Sequence, residues 1–313
     1  MAAVDRAYSR LSRGLRERAV KNFSLSRKTT LQVGGPAKAF VVVDSLEELR
    51  WVMQTIHDFG VSFFVIGRGS NLLVSDNGFK GVVIELGTGF RKIHTDGIYV
   101  QAGAATLLPA LVQLAWKEGL SGLTFAVGIP GGLGGALTLN AGAYSKAIGD
   151  IVTSATLYTP DCQLVAFDRS ELVFDYRYSS LAGQGIILEA VLKFKKGSAE
   201  SIQAEMERNF KKRKKTQPLQ LPSAGSVFKN PTGLSAGKLI EEAGLRGLQI
   251  GEAQISVKHC NFVVNLGNAS GQDIYNLLRL VQKKVFDTQG VLLEPEITLV
   301  GEFEEELITS DSE

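Results

Sequence analysis

The order of apolar and polar residues along the chain predicts alternating strands and helices. Short apolar runs predict strands over residues 40–43, 63–66, 82–86, 98–101, 152–158, 163–167, 186–195, 261–264 and 291–300. Apolar residues at helical spacing predict helices between Ser45 and Gly60 and over residues 107–117, 198–215, 234–242 and 272–288. Ser45 and Glu48 have the spacing of a capping box at the start of the first of these helices. Because each part of the chain mixes both elements, the sequence predicts the α+β class.

Two of these elements carry specific expectations about burial. The strand at 63–66 contains no polar residue, which predicts that it is buried. The helix at 198–215 places Ile202, Met206 and Phe210 on one stripe, which we expect to face the core. Residues 211–215 at its end are all basic, and cations are favourable at a helix C-terminus.

Composition and charge indicate a globular chain with a large core. Of its 313 residues, 44% are hydrophobic and 21% are charged, and the formal net charge is +2. This balance gives no support to bulk binding of nucleic acid or of a membrane surface. The charged N-terminus lacks an apolar signal segment, and no run of about eighteen apolar residues could span a bilayer. We therefore expect a cytoplasmic protein, and nothing in the sequence indicates an obligate protein partner.

The residues that most often bind metals are scattered. Cys162 and Cys260 lie about a hundred residues apart, and His57, His94 and His259 form no cluster with them. Ligand spacing of the zinc-site type is absent, so the sequence predicts no metal.

Changes in the pattern near residues 86 and 197 divide the chain into three predicted domains, which cover residues 20–86, 87–197 and 198–303. The acidic residues 304–313 are expected to form a disordered tail.

Glycine is in excess, with 34 residues, and it is concentrated in two loops. The first loop follows the strand at 63–66 and consists of Gly67, Arg68, Gly69, Ser70, Asn71 and Leu72. The second contains Gly128, Ile129, Pro130, Gly131, Gly134 and Gly135 and is followed by Asn140, Ala141 and Gly142. Glycines allow consecutive main-chain N–H groups to converge on a phosphate, and a helix starting near Leu133 would add its N-terminal amides.

Neither loop has the spacing of two common nucleotide-binding motifs. The dinucleotide-binding pattern Gly-x-Gly-x-x-Gly with its distant acidic residue is not met, and no Gly-Lys-Ser/Thr phosphate loop occurs. The plain alternative is that both segments are tight turns in which glycine serves only the backbone.

Five segments, in this order along the chain, resemble motifs of the UDP-N-acetylenolpyruvoylglucosamine reductases (MurB). Residues 67–76 resemble the first FAD-binding stretch of that family, and residues 128–131 with 140–144 resemble the second. Residues 175–179 read Asp-Tyr-Arg-Tyr-Ser and resemble the Tyr-Arg-x-Ser motif. Residues 222–231 are similar to the substrate-domain signature, and residues 293–297 resemble the C-terminal catalytic motif. The matches extend over residues 22–303.

The resemblance implies a two-subdomain FAD-binding fold of the vanillyl-alcohol oxidase type plus a separate α+β substrate-binding domain. Residues 20–86 and 87–197 would be the FAD-binding subdomains, and residues 198–303 the substrate-binding domain. The resemblance also implies the reaction, in which NADPH is the co-substrate that reduces FAD. The enolpyruvyl group of UDP-N-acetylglucosamine enolpyruvate is then reduced to give UDP-N-acetylmuramate for peptidoglycan. No tyrosine-bearing insertion follows Tyr178, so the chain resembles the shorter, second-type branch.

The implied chemistry needs an acid and a group that stabilises a carboxylate. Hydride addition to a double bond conjugated with a carboxylate leaves an enolate-like species, which must be stabilised and protonated. The resemblance implies Ser226 as the acid, Arg177 as the stabilising cation and Glu296 as the group that orients the substrate carboxyl. Strand alternation places Glu294 on the same face as Glu296, so it is the rival for that role. An ordinary turn at Ser226 and a structural ion pair at Arg177 are the plain alternatives.

Binding roles follow in the same way. Arg213 is the candidate contact for an FAD phosphate, and Tyr176, Lys215 and Asn230 are the candidate substrate contacts. FAD is expected to bind without a covalent link, because no His or Cys lies in either glycine loop.

Three positions depart from the family pattern. Gly132 stands where Thr or Ser is usual, which removes a hydroxyl donor near the pyrophosphate. Thr216 occupies the place of a lysine that commonly contacts the substrate phosphates, so Lys215 or Lys214 is expected to supply that charge. Thr298 replaces a common arginine, with no evident consequence.

Two other functions compete with this one. An FAD-dependent oxidase or dehydrogenase of an alcohol or sugar would use the same fold. A flavin- or nucleotide-binding regulatory module would leave the constellation of Ser226, Arg177 and Glu296 without a purpose.

Overall fold

The computed structural model describes residues 2–305. The α-helices are α1 (Ala3–Leu15), α2 (Leu46–Phe59), α3 (Leu108–Lys117), α4 (Leu133–Thr138), α5 (Ala199–Thr216), α6 (Ala236–Glu242) and α7 (Gly271–Gln289). The strands are β1 (Ala19–Ser24), β2 (Pro36–Val43), β3 (Phe63–Ile66), β4 (Leu72–Val74), β5 (Phe79–Leu86), β6 (Ile93–Asp96), β7 (Tyr99–Gly103), β8 (Leu120–Ser121), β9 (Gly142–Ala143), β10 (Lys146–Ala147), β11 (Val152–Tyr158), β12 (Leu164–Asp168), β13 (Phe174–Asp175), β14 (Tyr178–Ser179), β15 (Ile186–Lys193), β16 (Lys195–Lys196), β17 (Ser223–Ser226), β18 (Gln249–Ile250), β19 (Ala253–Ile255), β20 (Phe262–Asn265) and β21 (Thr298–Val300).

Three larger sheets organise the described chain. One has the order β1-β2-β5-β3, with β3 parallel to β5. A second is antiparallel, with the order β12-β11-β15-β7-β6. A third, also antiparallel, has the order β17-β20-β19-β18. Helices and strands mix throughout, so the predicted α+β class is confirmed.

The chain divides into two compact units. The first comprises Met1–Val20, Ala39–Arg68 and Val82–Lys215, and the second comprises Lys21–Lys38, Gly69–Gly81 and Thr216–Glu313. Each unit has a buried apolar core of its own. Helix α5 lies almost wholly in the first unit, although the sequence assigned its residues to a third domain. The predicted domains at residues 20–86, 87–197 and 198–303 are defined by changes in the sequence pattern and by the ligand that each would bind, whereas the two units are defined by compactness. The three domains therefore stay a prediction.

The start of α2 differs in detail from the predicted capping box. The Ser45 hydroxyl accepts a hydrogen bond from the Glu48 N–H at 3.1 Å, as expected. The Glu48 carboxylate, however, accepts from the N–H of Asp44 rather than from that of Ser45. Both terminal guanidinium nitrogens of Arg18 donate to the same carboxylate, and this hydrogen bonding is the main cause that lowers the pKa of Glu48.

Two predictions of burial are wrong. β3 lies at the edge of its sheet, and Phe63 and Val65 are each 37% exposed, so an apolar run did not mean burial. On α5, Ile202 and Met206 are buried as predicted, but Phe210 is 44% exposed beside the second glycine loop.

The predicted C-terminal strand at 291–300 is also shorter than expected. Only Thr298–Val300 forms a strand, so Glu296 lies in the segment before it rather than on it. At the predicted tail, the main chain of Glu304 exchanges two hydrogen bonds with the side chain of Gln272. Residues 306–313 lie outside the described part of the chain.

The end of the first glycine loop is built into the second unit. β4 pairs in parallel with β21, and Leu72 lies opposite Thr298. The Asp76 carboxylate accepts hydrogen bonds from the N–H groups of Gly271 and Gln272 at 2.8 and 2.9 Å. These are the first two amides of α7, which have no partner within the helix and carry partial positive charge. Asp76 therefore fixes the segment that follows the loop to the N-terminus of α7.

Candidate functional site

The first glycine loop turns tightly at Gly69. Its φ is +58°, and a Cβ there would lie 2.1 Å from the carbonyl oxygen of Lys28, so only glycine fits. The Gly69 carbonyl accepts from the N–H of Thr30. Within residues 2–305, the main-chain N–H groups of Ser70 and Asn71 donate to no protein group. The loop thus offers two consecutive N–H donors, and the anion site predicted from the sequence stays a prediction.

Asn71 connects this loop to Glu296. The Nδ2 atom of Asn71 donates to the main-chain carbonyl of Glu296 at 2.9 Å. The N–H of Thr298 donates to the carbonyl of Asn71 at 3.0 Å, immediately before β4 and β21 begin to pair. The sequence assigned Asn71 to the cofactor alone and gave no sign of this connection.

A β-bulge presents Ser226 at the end of β17. The register shifts between Ser223 and Ser226 against β20, and Gly225 within the bulge has a φ of +78°. Two residues after Ser226, the side chain of Asn261 holds the main chain of Phe228 on both sides, accepting from its N–H and donating to its carbonyl. A bulge re-aims the residue beside it, so Ser226 is placed by the backbone rather than by an ordinary turn.

Ser226 and Glu296 are brought together in the second unit. The N–H of Glu296 donates to the carbonyl of Val227 at 2.8 Å, and Phe228 forms an isolated bridge with Pro295. The candidate acid and the candidate carboxylate therefore belong to directly hydrogen-bonded segments.

The rival Glu294 has a different environment. Its side chain is 68% exposed and forms an ion pair with Lys229 at 2.5 Å, while Glu296 is half-buried. The main chains are also joined, since the N–H of Lys229 donates to the carbonyl of Glu294. The equivalence that strand alternation suggested does not hold, because residues 294–296 are not part of a regular strand.

Arg177 lies at the tip of a hairpin in the first unit. β13 and β14 pair Asp175 with Tyr178, so Tyr176 and Arg177 form the two-residue turn. Arg177 has a φ of +53°, a left-handed conformation that costs a non-glycine residue about 1 kcal/mol or more. Its guanidinium carbon lies 5.1 Å from the centre of the Tyr176 ring. The catalytic role of Arg177 stays a prediction.

Asn140 supports this hairpin with its side chain. Its Nδ2 donates to the carbonyl of Asp175 at 2.8 Å, and its Oδ1 accepts from the N–H of Gly149 at 2.9 Å. Asn140 is buried and itself has a φ of +44°. These contacts give Asn140 a structural function that the sequence did not reveal.

The second glycine loop is used differently from the prediction. A helix does begin at Leu133, but it has only 6 residues. The N–H of Leu133 donates to the carbonyl of Thr106, and that of Gly134 donates to the carbonyl of Ala104. The expectation that these first amides point at a ligand is therefore wrong, because both are used within the protein.

Other parts of this loop remain open to a ligand. Gly135 is exposed, with no atom within 4 Å of a Cβ position, and Gly131 has a φ of +153°. At the start of the loop, Gly128 and Pro130 are exposed and Ile129 is half-buried. Later in the sequence, Ala141 and Gly142 lie at the start of the β9–β10 hairpin.

Arg213 is the one residue of the basic run that is buried. Its side chain packs on Gly128, where a Cβ would lie 3.1 Å from Arg213 Cδ. Burial lowers the pKa of the Arg213 guanidinium, and the hydroxyl of Tyr144 partly offsets that effect. The neighbouring Lys211, Lys212, Lys214 and Lys215 are exposed.

Tyr144 is placed beside Arg213 by an unusual turn. Tyr144 and Ser145 have φ values of +56° and +60° and join β9 to β10. The Tyr144 hydroxyl donates to the carbonyl of Asn209, and the ring lies 5.2 Å from Lys212 Nζ. Tyr144 is part of the family-like segment 140–144, but sequence reasoning did not select it.

The candidate substrate contacts lie on different elements. Tyr176 is 49% exposed on the Arg177 hairpin, and Lys215 is exposed near the end of α5. Asn230 is exposed, and its Oδ1 accepts from the N–H of Ala236, the first residue of α6.

Within residues 2–305, no group of three or more His, Cys, Asp or Glu side chains is arranged to hold a metal ion. Cys162 is exposed and Cys260 is buried, and both are free thiols. In the same part of the chain, no helix has both the length and the apolar character needed to cross a bilayer.

Comparisons with known proteins cover most of the chain. A model described as an FAD binding domain matches residues 37–168, and one described as the C-terminal domain of UDP-N-acetylenolpyruvoylglucosamine reductase matches residues 217–300. The reductase of Clostridium novyi is 39% identical over 92% of this chain and 94% of its own. That of Halalkalibacterium halodurans is 42% identical over 90% of this chain and 94% of its own.

A solved structure agrees with these relatives. The crystal structure of the Thermus caldophilus UDP-N-acetylenolpyruvylglucosamine reductase (MurB) is 40% identical, covers 90% of this chain and 98% of its own, and gives a TM-score of 0.79. The fold that the motifs implied, an FAD-binding part followed by the C-terminal domain of this family, is confirmed. The chain therefore belongs to the UDP-N-acetylenolpyruvoylglucosamine reductase family and is an FAD-dependent oxidoreductase.

Proposed function

We propose that this protein reduces the enolpyruvyl group of UDP-N-acetylglucosamine enolpyruvate with NADPH, giving UDP-N-acetylmuramate in the cytoplasmic part of peptidoglycan synthesis. The observation that carries the proposal is the hydrogen bond from the Glu296 N–H to the Val227 carbonyl, which joins the candidate carboxylate to the segment of the candidate acid Ser226. The names of the relatives supply the substrate class. A hydride is added at the β carbon and a proton at the α carbon, and NADPH becomes NADP⁺.

The residues present fit FAD. FAD, when bound by these residues, would supply the redox chemistry that connects NADPH with the substrate. The main-chain N–H groups of Ser70 and Asn71 and the buried cation of Arg213 are donors suited to its phosphates. The predicted glycine-loop residues 67–72, 128–131, 134–135 and 140–142 would complete its binding site. The link is non-covalent, because no His or Cys occurs in these segments.

Three side chains carry the chemistry of the substrate. Ser226 delivers a proton to the α carbon as the general acid. Arg177 binds the substrate carboxylate with its planar guanidinium, whose charge stabilises the enolate-like transition state. Glu296, half-buried in a segment that is hydrogen-bonded to Val227 next to Ser226, orients the carboxyl group.

The uridine diphosphate part of the substrate needs cations and donors outside this centre. Tyr176, Lys215 and Asn230 are exposed and chemically suited to it, and Lys215 takes the place of the family lysine that Thr216 replaces. In this arrangement residues 20–86 and 87–197 are the FAD-binding subdomains and residues 198–303 are the substrate-binding domain. Arg213 is the exception that contacts FAD from the third domain, and Tyr176 and Arg177 are the exceptions that contact the substrate from the second subdomain.

Flavin absorbance tests the proposed function directly. We expect the purified protein to be yellow, to lose its flavin absorbance when NADPH is added without oxygen, and to regain it when the enolpyruvyl sugar nucleotide is added. Bleaching of the oxidised flavin by a simple alcohol or sugar, with no recovery when the sugar nucleotide is added, would show an oxidase or dehydrogenase instead. Failure of NADPH to bleach the flavin would contradict the assigned co-substrate.

Ser226→Ala tests the assigned acid. The substitution nearly preserves volume, so the fold and the FAD content should persist. Reduction of the enzyme by NADPH involves no proton transfer to substrate carbon and should be unchanged. Reoxidation by the enolpyruvyl substrate should slow by roughly a hundred- to ten-thousandfold, the usual contribution of general acid catalysis. Stopped-flow measurement of each half-reaction decides, and equal slowing of both would give Ser226 a role in positioning the flavin.

Arg213→Met tests the assigned phosphate contact. Methionine retains much of the packing against Gly128 but removes the charge. We expect the dissociation constant for FAD, measured by flavin fluorescence, to rise about ten- to a hundredfold, as for the loss of a charge-assisted hydrogen bond. Lys214→Met, which alters an exposed neighbour on the same helix, is the control. Equal FAD affinities in the two variants would remove Arg213 from the cofactor site.

A further inference from the structure

Asn71 uses its side chain where a parallel strand would use its main chain. The register pairs Leu72 with Thr298, so Asn71 lies opposite Ile297. A regular parallel ladder would there join the Asn71 N–H to the Glu296 carbonyl, and the Thr298 N–H to the Asn71 carbonyl. The second bond is present at 3.0 Å. The first is replaced by a bond of 2.9 Å from the Asn71 side-chain Nδ2.

This replacement leaves the main-chain N–H of Asn71 outside the ladder. Within residues 2–305 it donates to no protein group, and neither does the N–H of Ser70 before it. Consecutive amides of this kind bind anions. One residue therefore contributes both to a donor surface suited to a phosphate and to the attachment of Glu296.

We propose that Asn71 is a positioning residue that fixes Glu296, and through it the space beside Ser226, relative to the cofactor loop. The inference rests on the proposed function, because it assigns a role in the step that uses Glu296 and Ser226. Glu296 is held at two points, by Asn71 at its carbonyl and by Val227 at its N–H. Loss of the first contact frees one side of the segment, and a misplacement of about 1 Å can slow a reaction about a hundredfold.

Asn71→Ala in the FAD-bound enzyme tests this role. Reoxidation by the enolpyruvyl substrate should slow tenfold or more, while reduction by NADPH and the dissociation constant for FAD should change by less than about threefold, because Asn71 acts on the substrate step through Glu296. Asn77→Ala alters an exposed residue of the same segment and should leave all three quantities unchanged. Equal slowing of both half-reactions together with weaker FAD binding would make Asn71 a cofactor contact only and overturn the inference.

A double-mutant cycle with Glu296→Ala separates action through Glu296 from an independent effect. If Asn71 acts through the Glu296 carboxylate, adding Asn71→Ala to Glu296→Ala should slow reoxidation by less than about twofold. Additive effects would overturn the proposal.

Hydrogen exchange, which does not depend on enzyme activity, tests the inference separately from the proposed function. The amide of Thr298, which donates to Asn71, should exchange with deuterium at least tenfold faster in Asn71→Ala than in Asn77→Ala. Unchanged exchange would show that Asn71 does not hold the segment, even if wild-type enzyme reduces the sugar nucleotide. If the exchange changes but wild-type enzyme is not reoxidised by the sugar nucleotide, the proposed function fails and the anchoring role of Asn71 stands.

Discussion

The parallel pairing of β4 with β21, extended at one end by the Asn71 side chain, is the constraint on which the candidate site depends. It ties the end of a glycine loop to the last strand of the described chain, more than two hundred residues away in sequence. At its other end, Asp76 attaches the same segment to the first amides of α7. Loop closure over such a separation costs conformational entropy that packing must offset, and the segment accordingly lies among buried residues such as Leu73 and Ile297.

In the first unit, one energetic constraint is the burial of a charged side chain. Arg213 is buried with its charge, and burial lowers its pKa, so the protein bears a desolvation penalty at this position. A bound phosphate would offset much of that penalty, because a buried guanidinium gains most from an anionic partner. A buried charge that reduces stability without a ligand is typical of a site prepared for one.

The sequence predicted most helices and strands, because their apolar spacing and their capping residues are local signals. It predicted the class and the family, since five ordered motifs retain their residues regardless of packing. Its errors came from tertiary context. Phe63 and Val65 are apolar but lie on an edge strand, and Phe210 faces outward beside Gly128. The exposure of these three side chains cannot be predicted without knowing which strand or loop lies beside each of them.

The same reason explains what was missed at the site. The motifs predicted Asn71 and Asn140 as cofactor-binding residues. Their side chains also form hydrogen bonds with main-chain groups of distant segments. The bulge at Gly225 and the clamp by Asn261 depend on pairing with β20 and leave no local pattern. Conversely, the ion pair of Lys229 with Glu294 distinguishes two carboxylates that strand alternation had treated as equivalent.

The most direct test of the account is a crystal structure of the protein with FAD and the enolpyruvyl sugar nucleotide bound. The account predicts that the Ser226 hydroxyl lies within about 3.5 Å of the α carbon, a near-attack distance. It also predicts that the Glu296 and Arg177 side chains contact the substrate carboxyl, and that Asn71 keeps its bond to the Glu296 carbonyl. A complex in which Glu294 contacts that carboxyl, or in which Ser226 lies away from the α carbon, would contradict it.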